Sequence, residues 1–125
     1  MAKEEIKKIK GFSDYWISNK GIAYTTKWSP RYNPNCEMRI LRPRIHPSGY
    51  LYLGLFLNSG PNRVRVWKRV HRVVFEAFVG KIKNGYEIDH ISGDKHDNRL
   101  ENLRMVTRSE NMRAMWKRKK NNVCA

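Results

Sequence analysis

Residues 87–112 read EIDHISGDKHDNRLENLRMVTRSENM, and no other stretch limits the possible fold so closely. Tyr86-Glu87-Ile88-Asp89-His90-Ile91 predicts a strand ending in polar residues, with Ser92-Gly93-Asp94-Lys95 as the turn after it. Leu103-Arg104-Met105-Val106 predicts its partner strand. Thr107-Arg108-Ser109-Glu110 has the spacing of a capping box, in which the Thr107 hydroxyl accepts from the Glu110 N–H and the Glu110 carboxylate accepts from the Thr107 N–H. A helix therefore begins near Arg108. This order, strand, loop, strand, helix, puts Asn111 in the first turn or just past it, where its side chain can point back at the strand. Met112, Met115 and Trp116 then follow at i, i+3, i+4 spacing and read as a core-facing stripe among basic residues. The last residues, NNVCA, read as a frayed tail.

Upstream, IKGFSDYWISNKGIAYTT mixes aromatic and polar residues around Gly11 and Asn19-Lys20-Gly21, which predicts short strands joined by turns. KWSPRYNPNCEMR carries two prolines without a clear period and reads as a loop. HPSGYLYLGLFLNSGPNRVRVWKRV predicts a β-hairpin, its two β-rich runs flanking Asn58-Ser59-Gly60-Pro61-Asn62. In the second strand Val64, Val66 and Lys68 share one face, and Arg63, Arg65, Trp67 and Arg69 share the other. That cationic, aromatic face suits a phosphate backbone, and it suits equally a solvated strand face with Trp67 partly packed. HRVVFEAFVG predicts a short core helix stopped by Gly80, with Val74, Ala77 and Phe78 at helical spacing. His71 at its start is either a functional ligand or a histidine bonded to a backbone group.

The charge of the whole chain narrows its partners. Twenty-six Lys and Arg against 11 Asp and Glu give a formal charge of +15, far more than solubility needs, and nucleic acid is the first anionic partner to consider. No long apolar run or signal-like segment accompanies that charge, so membrane binding is not expected. Cys36 and Cys124 do not form a C-x-x-C pair and read as reduced thiols of a cytoplasmic protein.

The 87–112 stretch holds two histidines, three aspartates and three asparagines, a set of oxygen and nitrogen ligands with a chemistry in common. Phosphodiester hydrolysis needs an activated water and neutralisation of the charge that develops on the phosphate and the leaving oxygen. Asp89 is a hard oxygen ligand, and His90 beside it is a base that titrates near neutrality. On a regular strand these neighbours face opposite sides, so a twist or the strand end has to bring them to a common site. Asn111 can complete the metal shell from the helix, and Asn102 is placed to hold the histidine loop.

IDHISGDKHDNRLENLRMVTRSENM resembles the HNH, or ββα-metal, nuclease motif of phage and intron-encoded homing endonucleases. HRVVFEAFV resembles the segment that precedes that motif, and IKGFSDYWISNKGIAYT with GYLYLGLFL resembles the DNA-binding module often joined to it. The resemblance runs from about Ile9 to Arg113. It implies that Asp89 and Asn111 bind one divalent metal, that His90 is the general base, that Asn102 orients this histidine and its loop, and that Asn98 shapes the loop. An Asp and Asn pair is a hard oxygen set, which suits Mg²⁺ or Mn²⁺ better than Zn²⁺. Ser92-Gly93-Asp94 departs from the family's Asp-Gly-Asn turn and leaves the core positions intact.

The expected fold class is therefore α+β: a β-rich module over residues 1–48, a hairpin and short helix over 49–80, the nuclease unit over 81–120 and a flexible tail over 121–125. The expected function is metal-dependent cleavage of double-stranded DNA, in a family where some members nick one strand and others cut both. Arg42 and Arg44 of LRPR, Arg63, Arg65, Lys68, Arg69, Arg113 and Lys117 are the cations expected to hold the DNA backbone. A phage-encoded enzyme in the host cytoplasm fits this reading, and a partner such as a packaging terminase and the oligomeric state stay open. Two rivals are a regulator that binds DNA on the same scaffold without cutting, and an RNA-binding protein using the aromatics among the basic residues.

Overall fold

The computed structural model of the chain describes residues 3–27, 29–31, 33–57 and 61–123, with residues 119–123 described as backbone only. Three antiparallel sheets and two helices follow one another along it. The first sheet has the order β1-β2-β3-β4, with β1 at Ile6–Lys8, β2 at Tyr15–Ser18, β3 at Ala23–Thr25 and β4 at Arg39–Leu41. The second is β5-β6-β7, with β5 at Arg44–Ile45, β6 at Leu51–Phe56 and β7 at Arg65–Arg69. Helix α1, Val70–Phe78, leaves β7 directly. The third sheet pairs β8, Tyr86–His90, with β9, Leu103–Thr107, and helix α2, Arg108–Val123, follows.

The expected α+β class and the strand, loop, strand, helix order are both present. Alternation sets which residues face inward: Leu53 and Leu55 on β6 are buried while their neighbours are half-buried, and in the first sheet Tyr15 and Ile17 flank half-buried Trp16 as Ala23 and Thr25 flank half-buried Tyr24. Val70, Val73, Val74 and Phe75 supply the buried face of α1, and the Gly80 N–H returns to the Phe75 carbonyl at 3.2 Å, ending the helix where expected. One hydrophobic cluster joins residues of all three sheets and α1, from Ile9, Tyr15 and Ile17 through Leu53 and Val74 to Ile82, Ile88 and Leu103. The Tyr15 hydroxyl accepts from the Phe56 N–H at 3.1 Å, tying the first sheet to the second inside that core.

Two boundaries and the exposure of one helix face differ from the sequence reading. The second sheet begins at Arg44, so the first sheet hands over at residues 42 and 43 rather than at 48. α2 runs through Val123, into the segment read as a tail. The Met112, Met115 and Trp116 stripe is exposed, at 47%, 40% and 62%, because no further layer covers that side of α2 among the described residues. Residues 58–60 of the hairpin connection and Cys124 lie outside the described residues, while Cys36 is an exposed free thiol.

The capping box forms as its spacing predicts: the Glu110 N–H donates to the Thr107 hydroxyl at 3.2 Å and the Thr107 N–H donates to the Glu110 carboxylate at 3.4 Å. Thr107→Ala should lower stability by about 1 kcal/mol, read from the denaturant midpoint at unchanged slope.

Candidate active site

The β8–β9 pair is regular over its whole length, with Asp89 opposite Arg104 and His90 opposite Leu103. Neighbours on such a strand leave on opposite faces, and they do so here: Asp89 turns toward α2, and His90 turns toward α1 and the loop. No twist brings the two side chains onto one face. The strand ends at His90, so a phosphate lying across that end can meet both.

On the α2 side, Asp89 is buried and its Oδ2 lies 3.0 Å from the Arg104 guanidinium and 3.6 Å from that of Arg118. Both arginines use the same carboxylate oxygen, and no described residue donates to Oδ1. Two residues earlier on the same face of β8, Glu87 accepts from the Asn111 Nδ2 at 2.8 Å, which leaves the Asn111 Oδ1 as a free oxygen donor beside the strand. The first helical turn thus holds Asn111 where the cap spacing predicted it. Asp89 and Asn111 are hard oxygen donors on one face, and they are the residues that could hold a hard divalent cation with water and phosphate completing its shell. A closed zinc site does not fit, since the described residues contain no cluster of three His, Cys, Asp or Glu.

On the other side, His90 is 4% exposed, and its Nε2 lies 2.7 Å from the Asn98 Oδ1. An amide oxygen only accepts, so Nε2 is the donor in this contact and Nδ1 is the ring nitrogen left for another partner. Asn98, expected only to shape the loop, is thus the residue that meets the histidine. Asn102, expected to orient the histidine and its loop, bonds the loop rather than the ring: its Oδ1 accepts from the Ser92 N–H at 2.9 Å and its Nδ2 donates to the Asp97 carbonyl at 2.8 Å. Remote structure explains why Asn98 meets the ring. Gly21, at φ +83°, sits so close to Asn98 that a Cβ there would lie 2.9 Å from the Asn98 carbonyl oxygen. Beside it the Leu100 N–H donates to the Asn19 carbonyl at 2.8 Å, so the β2–β3 turn fixes the backbone of the loop that presents Asn98.

His71 is buried against the same histidine. Its ring centroid lies 4.9 Å from that of His90 and 5.2 Å from that of Tyr50, with which it is stacked. Burial, aided by His90, Arg69 and Arg72, lowers its pKa from 6.5 to about 3, so the ring is neutral at physiological pH.

The cations expected to face DNA separate into three groups. Arg44, Arg65 and Arg69 share the outer face of the second sheet with Tyr52, Phe56 and Trp67, as the cross-strand pairs Arg44↔Tyr52, Tyr52↔Arg69, Gly54↔Trp67 and Phe56↔Arg65 require. The guanidiniums lie on the rings: Arg65 is 4.6 Å from Phe56 and 5.4 Å from Trp67, Arg63 is 4.7 Å from Phe56, and Arg44 is 5.5 Å from Trp67. Gly54 makes room for this, because a Cβ there would come within 3.0 Å of the Trp67 ring. Arg42, Arg113 and Lys117 are exposed, the first between β4 and β5 and the others on α2. Lys68 does not belong with them: alternation turns it to the opposite face, opposite Leu53, with its ammonium over Phe12 at 5.8 Å.

Arg104, Arg118, Glu87 and Tyr50 were not singled out from the sequence. The first follows from the register opposite Asp89. The second follows from its position two helical turns after Asn111, on the same side of α2. Glu87 follows from lying two residues before Asp89 on one strand face, and Tyr50 carries no local signal.

Comparison with known proteins agrees with this geometry. Residues 68–113 match the HNH endonuclease family. The chain is 33% identical over 109 residues to DNA endonuclease I-HmuI of Bacillus phage SP01, covering 86% of this chain and 55% of that protein. It is 48% identical over 107 residues to an uncharacterized HNH endonuclease of Acanthamoeba polyphaga mimivirus, covering 83% of this chain and 23% of that one. A solved structure describing DNA binding and cleavage by the HNH homing endonuclease I-HmuI aligns with a TM-score of 0.72 at 30% identity, over 92% of this chain and 59% of that chain. The chain spans about half the length of I-HmuI. A capped helix that sets Asn111 beside the Asp89 strand, a histidine with one free ring nitrogen at that strand's end, and these likenesses lead to one assignment: residues 68–113 belong to the HNH endonuclease family, within a chain similar to I-HmuI over most of its length.

Proposed function

We propose that the chain is a DNA endonuclease that uses one divalent metal, Mg²⁺ or Mn²⁺, and His90 as general base. The observation that carries this reading is the 2.7 Å contact between Nε2 of the buried His90 and the Asn98 Oδ1, at the end of the strand that also presents Asp89. With Nε2 donating to Asn98, the lone pair on Nδ1 takes a proton from the water that attacks phosphorus. Asp89 and Asn111 hold the ion, and the chemistry it supplies is neutralisation of charge on the scissile phosphate and its leaving oxygen. Glu87 fixes the Asn111 amide so that its oxygen serves as the ligand. Arg104 orients Asp89 from the paired strand.

Double-stranded DNA is held in this reading by the arginine and aromatic face of the second sheet and by Arg113 and Lys117 on α2. The described residues hold one such centre, so nicking of one strand is the expected first event. A phage-encoded protein at work in the cytoplasm of a bacterial host fits the Bacillus phage relative, and no described helix is long and apolar enough to cross a membrane.

Supercoiled plasmid incubated with the protein in Mg²⁺, Mn²⁺ or EDTA tests the reading. Open-circle product in either metal and none in EDTA is the expected result. A protein that retards the plasmid on a gel and leaves it intact in both metals would be the non-cutting regulator instead. The DNA-holding face is tested separately with Arg65→Ala/Arg69→Ala, which should weaken binding about tenfold and reduce the slope of log affinity against log salt by about 2.

A further inference from the structure

The catalytic histidine does not stand in the site alone. Tyr50, His71 and His90 form a group of three rings: Tyr50 to His71 is 5.2 Å with the planes 22° apart, His71 to His90 is 4.9 Å at 45°, and Tyr50 to His90 is 6.0 Å at 37°. The three come from different parts of the chain, Tyr50 just before β6, His71 in the first turn of α1 and His90 at the end of β8. Each is independently anchored. Tyr50 carries the Arg69 guanidinium at 5.1 Å and the Lys95 ammonium at 4.6 Å on its ring, and Lys95 also donates to the Ser48 carbonyl at 2.7 Å. His71 is 4% exposed and sits in the buried face of α1 between Val70 and Val73.

We propose that His71 and Tyr50 are positioning residues for His90: their rings wall one side of the imidazole, and together with the Asn98 bond to Nε2 they hold the Nδ1 lone pair in a single direction. A hydrogen bond at one nitrogen alone lets a ring rock about that contact; a planar wall removes the motion. Neutral His71 suits the role, since a second imidazolium would repel a proton arriving on His90. The group also connects the site to the surface, because Arg69, on the face assigned to DNA, rests on the outermost of the three rings. The inference rests on the assignment of His90 as the base.

The test compares His71→Ala, His71→Phe and Tyr50→Leu in the full chain by two independent readouts. The first is ring-nitrogen NMR of His90 in the protein without metal or DNA. The wild type should give one protonated and one unprotonated nitrogen, and His71→Ala, in which the rocking ring breaks its Asn98 bond part of the time, should give signals averaged between two tautomers. The second is plasmid cleavage at saturating metal. His71→Ala should lower kcat about 10- to 100-fold with KM and DNA affinity unchanged, and His71→Phe, which restores a planar ring, should recover most of it. Should His71→Ala fail to fold, Tyr50→Leu reads the same group from its half-buried end and should lower kcat in the same way.

Unchanged tautomer signals and unchanged kcat in His71→Ala, or in Tyr50→Leu where the first does not fold, would overturn the inference. So would a His71→Phe protein that folds but does not recover. A wild type that never cuts, yet whose His90 tautomer depends on His71, would leave the positioning intact and bring down the nuclease reading instead.

Discussion

His90→Ala should lower single-turnover cleavage about a thousandfold and leave DNA affinity within about twofold of the wild type. Removing a general base costs the proton transfer in the transition state, while the contacts proposed to bind DNA lie elsewhere. Those contacts are Arg44, Arg63, Arg65 and Arg69 on the outer face of the second sheet, with Arg113 and Lys117 on α2. His90 is 4% exposed and contributes little surface for DNA to touch. The check is cleavage under excess enzyme in Mg²⁺ beside gel retardation in EDTA. A loss of less than tenfold would move the base to another residue. Equal losses of cleavage and binding would mean that the substitution had collapsed the loop held by Asn98.

What the sequence made legible was local. The capping box placed the start of α2, and with it Asn111, because both hydrogen bonds lie within four consecutive residues. Alternation along β7 put Arg65, Trp67 and Arg69 on one face, and the turn residues between two β-rich runs announced the hairpin. The same alternation argued against Lys68 as a partner of those arginines, and the structure sides with the pleat. Non-local contacts were not legible. Asn98 and Asn102 are both buried and lie in one loop, and nothing in their spacing tells which of them meets His90. That choice is made by the β2–β3 turn pressing on the Asn98 backbone from another sheet. The helical stripe of Met112, Met115 and Trp116 identifies one face of α2, but periodicity cannot say whether another layer exists to cover it. Arg104 and Arg118 needed the strand register and the helix crossing, neither of which a linear motif states.

Acid should unfold the wild type more readily than His71→Phe, and the difference should open below about pH 6.5. The direction follows from His71, whose pKa falls from 6.5 to about 3 chiefly through burial, with His90, Arg69 and Arg72 acting the same way. Between those two values the unfolded chain binds a proton at this residue and the native chain does not. Stability therefore rises with pH across that window, and acidification removes it. At pH 4.5, about 2 units below the unfolded value, the loss attributable to His71 is about 3 kcal/mol, a large part of the stability of a domain of this size. Asp97, held below the usual carboxylate range by its hydrogen bond to Arg99, adds a further loss at lower pH, and it does so in both proteins alike. Subtracting one denaturation series from the other over pH 4 to 8 isolates the histidine, because phenylalanine keeps a ring in the cavity and has nothing to protonate. Parallel curves would mean that His71 takes up its proton in the native state, and that the ring beside His90 carries charge in mild acid.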